Sequence, residues 1–193
     1  MNKNYKKFLE NKVITIENSG FNIDQSELNP AMFAFQKYIV QLALQKGKFA
    51  VLADCGLGKT LMSLSWATKV TFHTNKPVLI LAPLAVVEQT VNEGTRFGID
   101  VYNYDHGCAP CFNEPDIFIT NYEQLENIDC SVFGGVVLDE SSILKNFTGA
   151  TKELILEKFH YTEYKLALTA TPSPNDELEI GNHAEFLNVM TSR

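Results

Sequence analysis

Apolar residues in this chain fall into two patterns. The first is a set of short unbroken runs: Phe49-Ala50-Val51-Leu52, Val78-Leu79-Ile80-Leu81-Ala82, Ile117-Phe118-Ile119, Val136-Val137-Leu138 and Tyr164-Lys165-Leu166-Ala167-Leu168. Runs this short, rich in β-branched residues, predict strands, with a shorter one at Val101-Tyr102-Asn103-Tyr104. None alternates with polar residues, so the strands are expected to be buried on both faces, as in a parallel sheet. The second pattern has helical spacing. Residues 30–46 carry Met32, Phe35, Ile39 and Leu42 on one stripe, with Pro30 at an acceptable first position. Leu61, Met62, Leu64, Trp66 and Ala67 form another wide apolar face, and residues 86–97, 154–159 and 177–189 also read as helical. Strands separated by helices predict an α/β fold in three layers, a mostly parallel central sheet flanked by helices. Residues 1–29 are mixed: a short helix at 5–10, a strand at 13–16 and a turn at Asn18-Ser19-Gly20. They are read as an N-terminal extension to a domain spanning 30–193.

The polar residues of interest follow strand ends, where ligands bind in parallel sheets. Between the first run and the helix after it lies Ala53-Asp54-Cys55-Gly56-Leu57-Gly58-Lys59-Thr60-Leu61. Strand, glycine-rich turn and helix is the context of a phosphate-binding loop, whose consecutive N–H groups face the positive end of the helix. Lys59 would reach the β- and γ-phosphates and the Thr60 hydroxyl would hold Mg²⁺. The usual pattern has Gly where this chain has Ala53, a small residue that meets the same packing need. An ordinary turn into a helix can carry Gly and Lys too, so a second motif must decide.

That motif is Gly134-Gly135-Val136-Val137-Leu138-Asp139-Glu140, an apolar strand ending on two acids. Carboxylates are costly to bury unpaired, so a buried strand seldom ends on two without a use for them. Next to a nucleotide, Asp139 would hold Mg²⁺ opposite Thr60, and Glu140 would orient and deprotonate the attacking water.

Composition changes this picture little. The chain has 193 residues, 45% hydrophobic and 20% charged, enough for one α/β domain with a full core and short for two. A net charge of −7 does not advertise nucleic-acid binding, though it leaves room for a local basic groove. No apolar run reaches the roughly 20 residues that span a bilayer, and the basic amino terminus lacks a signal-peptide core. No membrane association is expected, and the cytosol of a prokaryote or phage-infected host is the expected location. Four cysteines do not make a disulfide framework. Cys108-Ala109-Pro110-Cys111, with His106 before it, lacks the second pair a zinc site needs and reads as a plain loop.

With both halves of the site in view, the chain resembles the first RecA-like domain of a superfamily 2 helicase or translocase, in the Swi/Snf-like or phage-type DEAD/DEAH-like branch. The resemblance rests on six motifs in order: Gln36; residues 53–60; Ala82-Pro83; Ile119-Thr120-Asn121-Tyr122; Asp139-Glu140-Ser141-Ser142; and Thr169-Ala170-Thr171-Pro172. It covers residues 26–190. It implies a P-loop NTPase (RecA-like) domain that binds ATP with Mg²⁺. It also implies roles. Gln36 would read the adenine edge, and Lys59, Asp139 and Glu140 would be catalytic. Cys55, Gly56, Leu57, Gly58, Lys59, Thr60 and Leu61 would line the nucleotide, and Thr60 and Asp139 would hold the metal. Pro83, Thr120, Asn121 and Tyr122 would touch a nucleic-acid strand, with hydroxyl, amide and N–H groups suited to phosphate oxygens. Ser142, Thr169 and Thr171 would couple hydrolysis to movement. Taken alone, Thr-Ala-Thr-Pro is also an ordinary turn before proline, and Gln36 an ordinary helix-surface glutamine.

The chain departs from the pattern in two ways. The acids are followed by Ser-Ser where box helicases carry Ala-Asp or Ala-His, which affects the coupling and leaves the roles of the acids in place. No second RecA-like domain or arginine finger follows. With Met1 read as the natural amino end, truncation is expected at the carboxyl side, with the second domain in cis in the longer protein. The resulting expectation is the ATP-binding domain of an ATP-dependent DNA translocase or helicase, weak or inactive by itself. The alternative is a non-catalytic, nucleotide-dependent module that recruits a DNA-modification or restriction partner.

Overall fold

The computed structural model describes residues 18–104, 116–141, 149–170 and 178–189. Helix α1 (Ala34–Lys46) leads into strand β1 (Lys48–Leu52), followed by α2 (Lys59–Thr74), β2 (Val78–Ala82), α3 (Leu84–Arg96) and β3 (Val101–Asn103). Then come β4 (Ile117–Asn121), β5 (Gly135–Leu138), α4 (Gly149–Lys158), β6 (Tyr164–Thr169) and α5 (Leu178–Phe186). The six strands form one sheet in the order β1-β6-β5-β2-β4-β3, every neighbouring pair parallel. Parallel neighbours require crossovers, and α2, α3 and α4 supply three of them.

Strand side chains alternate between two cores. Ile80, Val137, Leu166 and Leu168 face the layer of α1 and α2, packing with Val40, Leu44, Met62 and Trp66. Leu79, Leu81, Val136, Leu138 and Ala167 face the other layer, with Leu125, Ile155, Phe159 and Phe186. Each Leu, Ile or Val buried this way contributes about 1.5–3 kcal/mol, so the sheet is held from both sides. This is the three-layer α/β fold the unbroken runs predict.

Two elements differ from the pattern-based expectation. β1 is an edge strand with Leu52 exposed, because only β6 pairs with it. The stripe expected to bury α1 is rotated: Gln36, Val40, Ala43 and Leu44 point inward, while Phe35 is 46% exposed. Gln36 is drawn in because its amide finds partners there. Ahead of α1, Leu28 is buried in the core, and Phe21 and Ile23 pack against it.

Between β1 and β2 in the sheet lie β6 and β5. The carboxyl ends of β1, β6 and β5 are therefore neighbours, and they form the kind of crevice that binds ligands in such sheets. The expected strand at 13–16, together with His106, Cys108, Cys111, Ser142 and Thr171, lies outside the described residues. No helix of the described residues is long and apolar enough to cross a membrane.

Candidate active site

Six residues turn between β1 and α2. Gly56 and Gly58 have φ of +79° and +75°, the left-handed region that glycine enters without penalty. Gly58 caps α2 with its backbone alone, and no side chain bonds the first turn. An uncapped helix start presents N–H donors and the positive end of the helix dipole to an anion. The Lys59 ammonium donates to the Ala53 and Asp54 carbonyls at 2.9 and 3.1 Å, so it lies folded across its own loop. The Cys55 N–H donates to Asp54 Oδ1 at 2.7 Å, and its thiol is exposed. Leu57 is exposed, Thr60 half-buried, and the Leu61 side chain buried in the core.

Gln36 is only 4% exposed. Its Oε1 accepts the Phe33 N–H at 2.8 Å and its Nε2 donates to the Leu57 carbonyl at 2.9 Å. The amide thus ties the start of α1 to the phosphate-loop turn. One Nε2–H and one Oε1 lone pair stay outside these two bonds.

Across the crevice, β5 delivers the acids. The Asp139 N–H donates to the Leu81 carbonyl at 2.8 Å, extending the sheet by one bond, and Asp139 Oδ1 accepts the Glu140 N–H at 3.0 Å. Glu140 has φ of +52°, a left-handed conformation that costs a non-glycine residue about 1–3 kcal/mol. The Thr169 hydroxyl, at the end of β6, donates to Glu140 Oε1 at 3.1 Å. Burial raises the Asp139 carboxyl above its ordinary value. The Glu140 N–H opposes that shift, the Glu140 charge adds to it, and Lys59 opposes it. Loop and acids therefore lie close enough to feel each other's charge.

Among the described residues, no group of three or more His, Cys, Asp or Glu is placed to hold a metal. Thr60 on the phosphate-loop side and Asp139 on the acid side offer one hydroxyl and one carboxylate. That fits Mg²⁺, which keeps its waters and completes its shell with phosphate oxygens.

Of the four residues singled out for a nucleic-acid strand, Thr120 and Asn121 border one cavity and Tyr122 is buried. Pro83 starts α3 beside the exposed Leu84. Asn121 accepts the Gln124 N–H at 3.1 Å and caps the turn at Tyr122–Asn127. A cavity of about 210 Å³ between them is bordered by Leu84, Asn103, Tyr104, Thr120, Asn121 and Gln124. Thr120 is buried, and so is Tyr122, whose hydroxyl donates to the Asp139 carbonyl at 2.8 Å. Burial, then the charges of Asp139 and Glu140, push the Tyr122 phenol well above its ordinary value, so it stays a donor. Tyr122 is thus a brace for the acid turn.

The family profile of the SNF2-related domain matches residues 35–191. This chain belongs to the SNF2-related domain family. The SNF2-related domain shares its fold with the Sulfolobus solfataricus SWI2/SNF2 ATPase core solved in complex with dsDNA (TM-score 0.74, 21% identity), over 88% of this chain and 38% of that one. It is also similar to the UvsW helicase from bacteriophage T4 (TM-score 0.66, 14% identity), over 96% of this chain and 66% of that one. A third similar structure is the Pyrococcus furiosus Hef helicase domain (TM-score 0.66, 19% identity), over 80% and 36% of the two chains. The chain thus spans well under half of the SWI2/SNF2 core. No curated protein matches it in sequence. The fold is that of a RecA-like domain of superfamily 2 helicases.

The sequence reading missed one residue that reaches the site. His183 on α5 lies with its Nε2 2.9 Å from Ser141 Oγ, directly after the acids. A contact across 42 positions leaves no local pattern in the sequence. Glu179, Asn182 and Glu185 on the same helix are polar too, so nothing local singles His183 out.

Proposed function

We propose that this SNF2-related domain binds Mg-ATP between the 53–60 turn and the acid turn. In a protein that also carries a second RecA-like domain, its hydrolysis would drive movement along DNA. One observation carries the reading: the sheet order brings together the carboxyl ends of β1, β5 and β6, which lead to the Lys59 turn, Glu140 and Thr169, with Glu140 held by the Thr169 hydroxyl. Family membership and the likeness to an ATPase core solved with dsDNA support it.

The roles follow from the contacts. Gly56 and Gly58 turn the chain so that the first N–H groups of α2 meet phosphate oxygens. Lys59 exchanges the Ala53 and Asp54 carbonyls for those oxygens, trading neutral acceptors for charged ones. Thr60 and Asp139 would hold Mg²⁺, which would supply positive charge against the phosphates. Glu140 accepts the proton of the attacking water, and Thr169 keeps its carboxylate in line. Gln36 links the base side of the site to the loop through Leu57. An arginine supplied by a second domain would add about 10³–10⁵ in rate, so this domain alone turns over slowly.

The test is ATP hydrolysis by this chain and by a longer protein carrying both domains, with duplex and with single-stranded DNA. Lys59→Ala should abolish nucleotide binding. Glu140→Gln should keep binding and lower kcat by about 10²–10⁴. DNA-stimulated hydrolysis that survives both substitutions refutes the reading. Nucleotide bound but never hydrolysed would favour a recruitment module.

A further inference from the structure

Ser141, the residue after the two acids, is wholly buried. Its N–H donates to the Leu168 carbonyl at 2.8 Å. Its hydroxyl lies 3.1 Å from that same carbonyl and 2.9 Å from His183 Nε2. A hydroxyl has one proton to give and two lone pairs to receive with. When Nε2 carries the ring proton, the imidazole donates to Oγ, Oγ donates to Leu168, and each of the three groups has its partner.

The histidine is held from its own side. Lys165 Nζ donates to the Phe186 carbonyl at 2.9 Å, and Phe186 is fully buried. Lys152 pairs with Glu185 at 2.7 Å and donates to Asn182 Oδ1 at 2.8 Å, joining α5 to α4. These contacts fix α5 on the sheet without help from the acid turn, and His183, 4% exposed, is a fixed point on that helix.

The turn needs such a point. Glu140 sits at φ of +52°, and a strained non-glycine conformation persists only when its surroundings over-determine it. Tyr122 holds the carbonyl of Asp139, Thr169 holds the carboxylate of Glu140, and Leu168 with His183 holds Ser141. Of these anchors, His183 alone belongs to a helix beyond the sheet and its immediate turns.

We propose that His183 is a positioning residue for Glu140. Acting through Ser141, it keeps the acid turn in the strained conformation that aims the Glu140 carboxylate, so the docking of α5 sets the rate of hydrolysis. The rate part of this proposal rests on the reading of Glu140 as the base. His183 is buried and acts through Ser141, so its loss lowers kcat and leaves KM for ATP in place.

Glutamine and asparagine separate the ring positions. The amide nitrogen of Gln reaches the place of Nε2, whereas that of Asn stops near Nδ1. His183→Gln and His183→Asn are both polar and close in size, which guards against simple unfolding. Two measurements apply: steady-state ATP hydrolysis by the protein carrying both domains, and hydrogen exchange at the Glu140 and Ser141 amides. His183→Asn should lower kcat about 10-fold, within the range that misplacing a catalytic group gives, with KM unchanged. It should also speed exchange at the turn. His183→Gln should restore both, and Ser141→Ala should lower kcat with no further loss when combined with His183→Asn. Wild-type exchange in His183→Asn overturns the proposal, as does a change in KM with kcat intact. If the two-domain wild type hydrolyses no ATP, the reading of Glu140 as the base falls, while the exchange arm still decides whether His183 holds the turn.

Discussion

Gly56 and Gly58 share a backbone conformation and differ in their neighbours. A Cβ on Gly56 would meet nothing within 4 Å, whereas one on Gly58 would lie 2.4 Å from Gln36 Nε2. That amide cannot step aside freely, because it is buried and bonded to both Phe33 and Leu57. Gly56→Ala should therefore cost only the left-handed strain, about 1 kcal/mol. Gly58→Ala should cost about 2–3 kcal/mol, strain plus a lost buried hydrogen bond. Adding Gln36→Ala to Gly58→Ala should recover part of that loss by removing the clash. Urea unfolding of the three variants measures it, and equal costs for the two glycines would show that Gln36 does not brace the loop. The same pair explains why Gln36 was partly hidden in the sequence. Its place on the helix that precedes β1 and the loop was legible, but its inward direction was not, since Phe35 beside it made the better apolar stripe.

At the scale of elements, α5 is joined to β6 by an unusual side chain. Lys165 lies in the middle of an apolar strand, is 1% exposed, and donates to Phe186 O and Asn188 Oδ1 at 2.9 and 3.3 Å. Its ammonium also lies 5.2 Å from the centre of the Phe186 ring, a cation–π contact. Burial first, and the Lys48 charge second, lower its pKa to about 8. The folded protein then releases this proton at lower pH than the unfolded chain does. From about pH 8 to the ordinary lysine value the unfolded state binds more protons, so stability rises with pH in that window. Lys165→Met should lack this rise, and the melting temperature of wild type relative to the variant should climb between pH 7.5 and 9.5. A constant difference would mean that the amine titrates normally. The runs of β2, β4, β5 and β6 were legible because doubly buried strands leave continuous apolar sequence. The edge character of β1 was not, because it depends on which strand closes the sheet. His183 and Lys165 were opaque for the same reason, since each acts through a partner far along the chain.

At the scale of the whole molecule, one edge of the sheet carries two separate regions. The ends of β1, β6 and β5 hold the candidate nucleotide site, and the ends of β3 and β4 border the 210 Å³ cavity with Leu84 and Gln124. The Tyr122 hydroxyl on the Asp139 carbonyl joins the two, so strain at the cavity has a short rigid route to the acids. If a DNA strand lies along that cavity, placing a carboxylate there should repel its phosphates. Gln124→Glu adds one negative charge to a chain already at −7 and changes the side-chain shape little. In the two-domain protein it should raise the DNA concentration for half-maximal ATPase stimulation several-fold at 50 mM salt, and less at 200 mM, where exposed charges are screened. Nucleotide affinity without DNA should be unchanged, because the substitution lies on the other half of the edge. An unchanged DNA requirement at both salts would place the track elsewhere. A loss of nucleotide affinity would mean that the two regions are one site.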